Sequence, residues 1–547
     1  RDIGVTGVQT CALPICHVRF QPATAGLRAS SWFEVHLDLT RAQPERRAQV
    51  HARVRFDWPP EPVEGLGTVE LETYEWLERD GPPLFREVAV LEVEPLPRTY
   101  WVDPLLARRP AGSRVPEFIL GARNAVVRHV RNEGWTLVPL TERHPGLLFT
   151  AALADFTGDG VEDLVCAVRS GLVLLRGGEK GFGSPPEQVW SAPGRLEYAQ
   201  ALAVGDIDGD GDLDVYLGQY RPPYQGGQMP VPYYDANDGP AGYLLRNVGQ
   251  GLFEDATQGS GLEARRHRRS YGASFADLDR DGDLDLLVTS DFAGWDLHAN
   301  DGQGRFSDRT GEWLPESAGF GMSHTTADFD ADGMLDLLLV GMPQYTAERL
   351  GHLGLEHPAH QDWAWRRAAV TFGNRLAFGV PGGFRQRPAG AGLARAGWAW
   401  SAAGVDFDHD RFPDVYVVNG HETRQHVADY ETEFWLHDIY AGRSTPDPAL
   451  EVHFTEKAAR TRGLGWSYGG HDRNRFFLNL GGAGFVDISH LAGLALQADS
   501  RNVLAEDIDD DGDADLVMTT FEVWPRVRQT VRLFENRAEH ARHWIGF

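Results

Sequence analysis

The sequence predicts an all-β protein: a β-propeller of six to eight blades, seven favoured, with calcium-binding loops, preceded by a small β-sandwich-like domain. Three observations predict it. One acidic nine-residue pattern occurs six times, a short apolar run comes after each copy, and a glycine-rich pattern ending in an aromatic and an acid keeps step with them. Four short strands per unit at a spacing near 50 residues fit radial repetition, which hides most sheet edges.

The acidic copies are "DFTGDGVED", "DIDGDGDLD", "DLDRDGDLD", "DFDADGMLD", "DFDHDRFPD" and "DIDDDGDAD". Positions one, three, five and nine supply the candidate metal ligands. They are Asp155, Thr157, Asp159 and Asp163 in the first loop, then Asp206, Asp208, Asp210 and Asp214 in the second. The third loop offers Asp277, Asp279, Asp281 and Asp285, and the fourth Asp328, Asp330, Asp332 and Asp336. Asp406, Asp408, Asp410 and Asp414 come next, and Asp507, Asp509, Asp511 and Asp515 close the set. Alternate side chains of a tight turn aim oxygens inward, glycine at position six permits the bend, and a backbone carbonyl near position seven adds a ligand. Such clusters without a cation cost on the order of several kcal/mol of like-charge repulsion. Up to six Ca²⁺ ions would bring the formal net charge from −27 to about −15.

These are not EF-hands. An EF-hand needs a glutamate at position twelve, and here Cys166, Leu217, Val288, Leu339, Val417 or Met518 stands there. The apolar run after each loop ("DLVCAV", "DVYLG", "DLLVT", "DLLLV", "DVYVV", "DLVMT") reads as a buried strand bounded by turn residues. Position two is always large and apolar (Phe156, Ile207, Leu278, Phe329, Phe407, Ile508), which predicts a peg onto the core. The glycine-rich partners "NVGQGLFED" (247–255), "NDGQGRFSD" (300–308) and "NLGGAGFVD" (479–487) predict hairpins, with weaker versions at 177–184 and 379–386. Loop starts lie 51, 71, 51, 78 and 101 residues apart, so insertions are expected, the longest around 419–475.

Ahead of the repeats, "QVHARVRFDW" and "GTVELETYEWL" alternate like half-buried strands, and "LLARRPAGSRVP" (105–116) reads as a linker. A β-rich domain is therefore expected over 17–115 and the propeller over 116–535. The opening "RDIGVTGVQTCALPI" back-translates to a short-read sequencing adapter, so residues 1–15 read as a scar with no role in the fold. With a start of that kind a signal peptide is not observable. Cys166 is the one secure cysteine, so no disulfide framework reports on compartment. A net charge of −27 disfavours nucleic acid, and no apolar run reaches membrane-span length. The basic stretch "RRHRR" (265–269) is expected to be a solvated loop.

The "DxDxDGxxD" loops with "NxGxGxF" hairpins resemble FG-GAP/VCBS repeats, the units of integrin α-chain propellers. "DVYVVNGH" (414–421), "NRFFLNLGGAGFVDISHLAGL" (474–494), "DSRN" (499–502) and "EDIDDDGDADLVM" (506–518) resemble the ASPIC/UnbV (cartilage acidic protein-like) family. "ENRAEHARHWIGF" (535–547) looks like the opening of the small β domain that succeeds such propellers, giving a truncated UnbV-type segment over 536–547. The resemblance implies a calcium-stabilised propeller, extracellular or at the cell surface, with the periplasm as an option, and without established catalysis. Two departures stand out: Thr157 at position three of the first loop and Arg411 where glycine belongs in the fifth.

Two function classes compete. The leading expectation is a non-catalytic, monomeric scaffold that recognises a glycan or protein ligand or serves adhesion. The alternative is a calcium-stabilised polysaccharide lyase or hydrolase. "GWSYG" (465–469) matches a nucleophile elbow at Ser467, but the elbow needs a helix after it and the next segment is strand-like. His324, His421, His426, His437 and His471 show no metal-ligand spacing and read as surface or core residues. Acids suited to glycoside chemistry fall mostly within the metal loops. Trp363, Trp365, Trp398 and Trp435 suit sugar stacking and core packing alike.

Overall fold

Each acidic loop joins two strands, and the apolar run after it forms the second of them, buried along its length. The computed structural model describes residues 15–21, 30–42, 45–57, 68–94, 103–143, 146–178, 181–183, 185–232, 234–344, 350, 353–355, 363–429 and 444–538. The protein is all-β, and the described residues form eight four-stranded antiparallel sheets with few helices.

Seven of these sheets repeat one plan. Sheet 1 comprises Leu105–Arg108, Glu117–Leu120, Ala125–Val130 and Gly134–Pro139. Sheets 2 to 6 begin at Leu148–Ala154, Ala201–Gly205, Arg269–Ala276, Gly321–Ala327 and Ala399–Val405. Their second strands begin at the ninth-position aspartates Asp163, Asp214, Asp285, Asp336 and Asp414. Sheet 7 takes Ser500–Glu506, Asp515–Glu522 and Arg528–Asn536, and its fourth strand is Phe85–Val93 from far earlier in the chain. First strands pack side by side from sheet to sheet, and that of sheet 7 packs on that of sheet 1. A separate apolar cluster fills each junction, including the one between sheets 7 and 1, where Val93, Leu105, Phe118, Val517 and Leu533 meet. There Arg123 Nε donates to the buried Asp103 at 2.8 Å, and Gln529 donates to the same carboxylate.

The region expected to be a sandwich is instead one four-stranded sheet, Ile15–Gln21, Ser30–Ala42, Glu45–Asp57 and Thr68–Asp80. It rests on the end of sheet 6 through Gln49, whose amide donates to Asp487 O and whose oxygen accepts from His490 N. A boundary at 115/116 does not separate the sheets. Leu105–Arg108, expected to be linker, pairs with Glu117–Leu120, and Phe85–Val93 pairs with Arg528–Asn536. Alternating strands can pair locally or far away, and local pattern does not say which. Asn536, expected to open a further domain, ends the third strand of sheet 7. Residues 1–14 and 539–547 lie outside the described residues; Ile15 is the first residue of its strand.

"RRHRR" is not a solvated loop. Arg268 and Arg269 are buried, with Arg268 Nε 2.7 Å from Asp296 and Arg269 Nε 2.8 Å from Asp238. Both border an apolar cluster, Arg268 through Ala236 O and Arg269 over the Phe292 ring. It forms where described residues of the connections 219–242, 342–374 and 420–474 of sheets 3, 5 and 6 pack with Phe292, Phe320, Met322 and Trp400. These connections leave the second strands at the end opposite the acidic loops. No described helix is long and apolar enough to cross a membrane.

Candidate metal centres

The six acidic loops connect first and second strands of sheets 2 to 7, at one edge of the array; sheet 1 has none. Each loop is built on two aspartates that serve the backbone. The position-one carboxylate accepts the position-six N–H at 2.8–3.2 Å in all six loops. The position-nine carboxylate is buried and accepts an N–H at 2.6–2.9 Å, from Asn247, Asn300, Gly379, Asn479 or Asn536 of the third strand and, in sheet 2, from Gly177 just past it. In five loops its second oxygen accepts the N–H of the position-two residue at 2.7–3.3 Å. The position-two side chains are all buried pegs.

The bend is made at two positions. Position six has a left-handed backbone in every loop, and Arg411 adopts it at φ 84° like the glycines. Position four is left-handed as well, at Gly158, Gly209, Arg280, Ala331, His409 and Asp510. Sequence reasoning missed this position, whose residue types share no signal.

Five loops then bring three carboxylates together, with oxygens within 4.8 Å of one another. The groups are Asp206/Asp208/Asp210, Asp277/Asp279/Asp285, Asp328/Asp330/Asp332, Asp406/Asp408/Asp410 and Asp507/Asp509/Asp511. Among the described residues the Asp155 loop forms no such group, as Thr157 replaces one acid. The position-five carboxylate accepts the N–H two residues on in all six loops, in the gathered Asp210, Asp332, Asp410 and Asp511 as in the ungathered Asp159 and Asp281. Asp163, Asp214, Asp336, Asp414 and Asp515 stay outside the gathered sets. Burial pushes Asp214, Asp285 and Asp336 up to about 6, and Asp414 and Asp515 up to about 8. Burial and then the neighbours Asp511, Glu535 and Asp507 push Asp509 up to about 6. Oδ1 of Asp208 and of Asp330, Oγ1 of Thr157 and Oδ2 of Asp163 are buried without a hydrogen-bond partner. Oxygen donors only, clustered acids and orphaned buried oxygens fit a hard divalent cation.

The two sequence motifs are linked in space. Asn247 Nδ2 donates to Phe156 O at 3.0 Å, Asn300 to Ile207 O at 2.8 Å, Asn479 to Phe329 O at 2.9 Å and Asn536 to Phe407 O at 2.9 Å. Each asparagine of one sheet thereby holds the loop of the sheet before it. The hairpin glycines let the sheets approach: a Cβ on Gly304 would meet Ile207 Cδ1 at 3.2 Å, and one on Gly482 would meet Asp330 Cα at 3.1 Å.

The other candidates have structural partners. Ser467 Oγ donates to His426 O at 2.7 Å and accepts from Arg424 N, and its short strand is preceded rather than followed by the helix Pro448–Gly463. His324 sits between Thr289 and Ser274, and His471 contacts Arg424 O. Trp398 stacks on His421 at 5.0 Å, so that face is taken by packing. His437 and Trp435 lie outside the described residues, as do the side chains of Trp363 and Trp365.

The FG-GAP-like repeat family matches residues 155–217 and 277–339. No curated protein matches the chain. Among solved structures, an Agrocybe aegerita lectin, described as recognising non-reducing terminal N-acetylglucosamine, is 15% identical over 76% of this chain and 88% of its own, with a TM-score of 0.39. The Photorhabdus luminescens Tc holotoxin pore is 14% identical over 94% of this chain and 25% of its own, with a TM-score of 0.28. At these scores neither likeness specifies the arrangement of the sheets or a ligand. The matched segments contain four of the six acidic loops, and the chain carries FG-GAP-like repeats.

Proposed function

We propose that this chain is a calcium-stabilised, seven-bladed β-propeller that works outside the cell as a non-catalytic scaffold for recognition of a glycan or protein. The observation that carries the calcium reading is the gathering of three carboxylates within 4.8 Å in five equivalent loops. Closure into a ring is supported by the packing of sheet 7 on sheet 1 and by the strand Phe85–Val93, which completes the last sheet from the other end of the chain. The recognition role is supported by the division of labour between edges. One edge is uniform and spent on loops, whereas the other carries connections of very different length, where variation can serve a ligand. A glycan array read beside a reducing-sugar assay tests the role. Binding without sugar release supports it, and release of reducing ends would establish an enzyme instead.

A further inference from the structure

The six loops share one template, yet in sheets 3, 4, 5 and 7 the residue at one third-strand position differs. It directly precedes the residue whose N–H binds the ninth-position aspartate: Arg246 before Asn247, Ala299 before Asn300, Phe378 before Gly379 and Glu535 before Asn536. In sheet 3, Arg246 Nη2 stands 3.0 Å from Asp208 Oδ2, and the guanidinium is steadied by Gln303 O at 3.3 Å. In sheet 5 an arginine arrives from another direction. Arg387 lies 4.7 Å over the Phe378 ring and donates to Asp330 Oδ2. In both loops Oδ1 of the same carboxylate is buried and unpartnered, so the guanidinium caps the outer oxygen and leaves the inner one facing the loop. Asp279 and Asp509 hold the same position in sheets 4 and 7, and the charges acting on these two carboxylates are acids: Asp281 and Asp277 for one, Asp511, Glu535 and Asp507 for the other. Arg114, 2.9 Å from Asp510 in the sheet 7 loop, pairs outside the gathered trio. Glu535 is itself paired with Arg86 and Arg537, which offsets part of its charge.

We propose that Arg246 and Arg387 are built-in counter-ions that hold the Asp206 and Asp328 loops closed without calcium, whereas the Asp277 and Asp507 loops close only on a cation. The proposal rests on the calcium reading. A guanidinium fixed on one carboxylate removes much of the repulsion that would otherwise open the turn. The same positive charge, one carboxylate away from where an ion would sit, should weaken calcium there by about five- to tenfold. Residues outside the loop motif, on the third strand in sheet 3 and just past the fourth in sheet 5, thus divide equivalent sites into metal-tolerant and metal-dependent ones.

Hydrogen exchange of the full chain, read by mass spectrometry in saturating calcium and in excess chelator, tests this loop by loop. In chelator, amides at 209–212 and 331–334 should exchange at least about tenfold more slowly than those at 280–283 and 510–513. Arg246→Gln should erase the advantage of the 209–212 segment alone, and Arg387→Gln that of 331–334 alone, with exchange in calcium as in wild type. Both arginines are partly exposed, so neither substitution threatens the fold. Equal opening of the four loops in chelator overturns the proposal. So does protection lost only in calcium, which would make the arginines positioning groups for the metal ligands. If calcium protects no loop in any variant, the calcium reading falls as well, and the two failures are told apart.

Discussion

The two edges of the repeated sheets are held by different physics. At the loop edge, aspartates hold backbone amides, asparagines tie each loop to the next sheet, and acids converge with oxygens left unpartnered. At the opposite edge the connections of sheets 3, 5 and 6 bury Phe292, Phe320, Met342 and Trp400, and acids such as Asp238 and Asp296 meet arginines. At the opposite edge these buried acids already have cations, whereas at the loop edge arginines meet single carboxylates of some trios, such as Asp208 and Asp330, and leave the other acids of each trio uncompensated. Calcium dependence should therefore be one-sided.

The largest expected effect is on the loop edge. Excess chelator should lower the melting temperature by more than about ten degrees, because binding at several sites is coupled to folding. The loss should grow with pH. Folded-state values near 6 for Asp285 and near 8 for Asp515 exceed the unfolded value of about 3.9, so the folded state holds more protons. Calcium-free stability is then full below about pH 4 and drains away as pH rises toward 8, while calcium answers the same charge. Melting curves at pH 5 and pH 8 with and without chelator check this; a gap that narrows at pH 8 would break the comparison.

Next in size is a change at the opposite edge. Phe320→Ala removes a ring buried against Phe292 and should cost about 3–5 kcal/mol in denaturant unfolding, equally with and without calcium. A cost that depends on calcium would show that the edges are not independent. Asn300→Ala should cost less, about 1–3 kcal/mol, since it strands the carbonyls of Ile207 and Leu284. Sheet 5 has Gly379 at the equivalent place, so a full cost at Asn300 would measure what that sheet forgoes. The smallest effect sharpens the loop geometry. Arg411 carries a side chain at φ 84°, and Arg411→Gly should raise stability by up to about 1 kcal/mol. A loss of stability there would mean that the guanidinium holds its loop.

Distance along the chain decided which features were legible in the sequence. The loops, pegs and hairpins are local patterns, and they stand where the spacing places them. The asparagines of "NxGxGxF" were visible, but their partners are the carbonyls of Phe156, Ile207, Phe329 and Phe407, each about 90 to 150 residues away. Sheet 1 escaped notice because its first turn carries no acidic loop, so Leu105–Arg108 read as linker. "RRHRR" misled because a charge run looks solvated until Asp235, Asp238 and Asp296 are folded around it. Arg246 and Glu535 occupy one register position, and only the paired strands reveal what each does to a loop.

Whether the clustered aspartates of the loop edge bind calcium as ligands is measured most directly by equilibrium dialysis. The full chain is dialysed against millimolar calcium and its metal content is then determined. Five ions per chain are predicted, one for each gathered trio, with a sixth at the Asp155 loop only at higher calcium. Asp279→Ala should remove one of the five, and a chain that retains no calcium after dialysis would contradict the account.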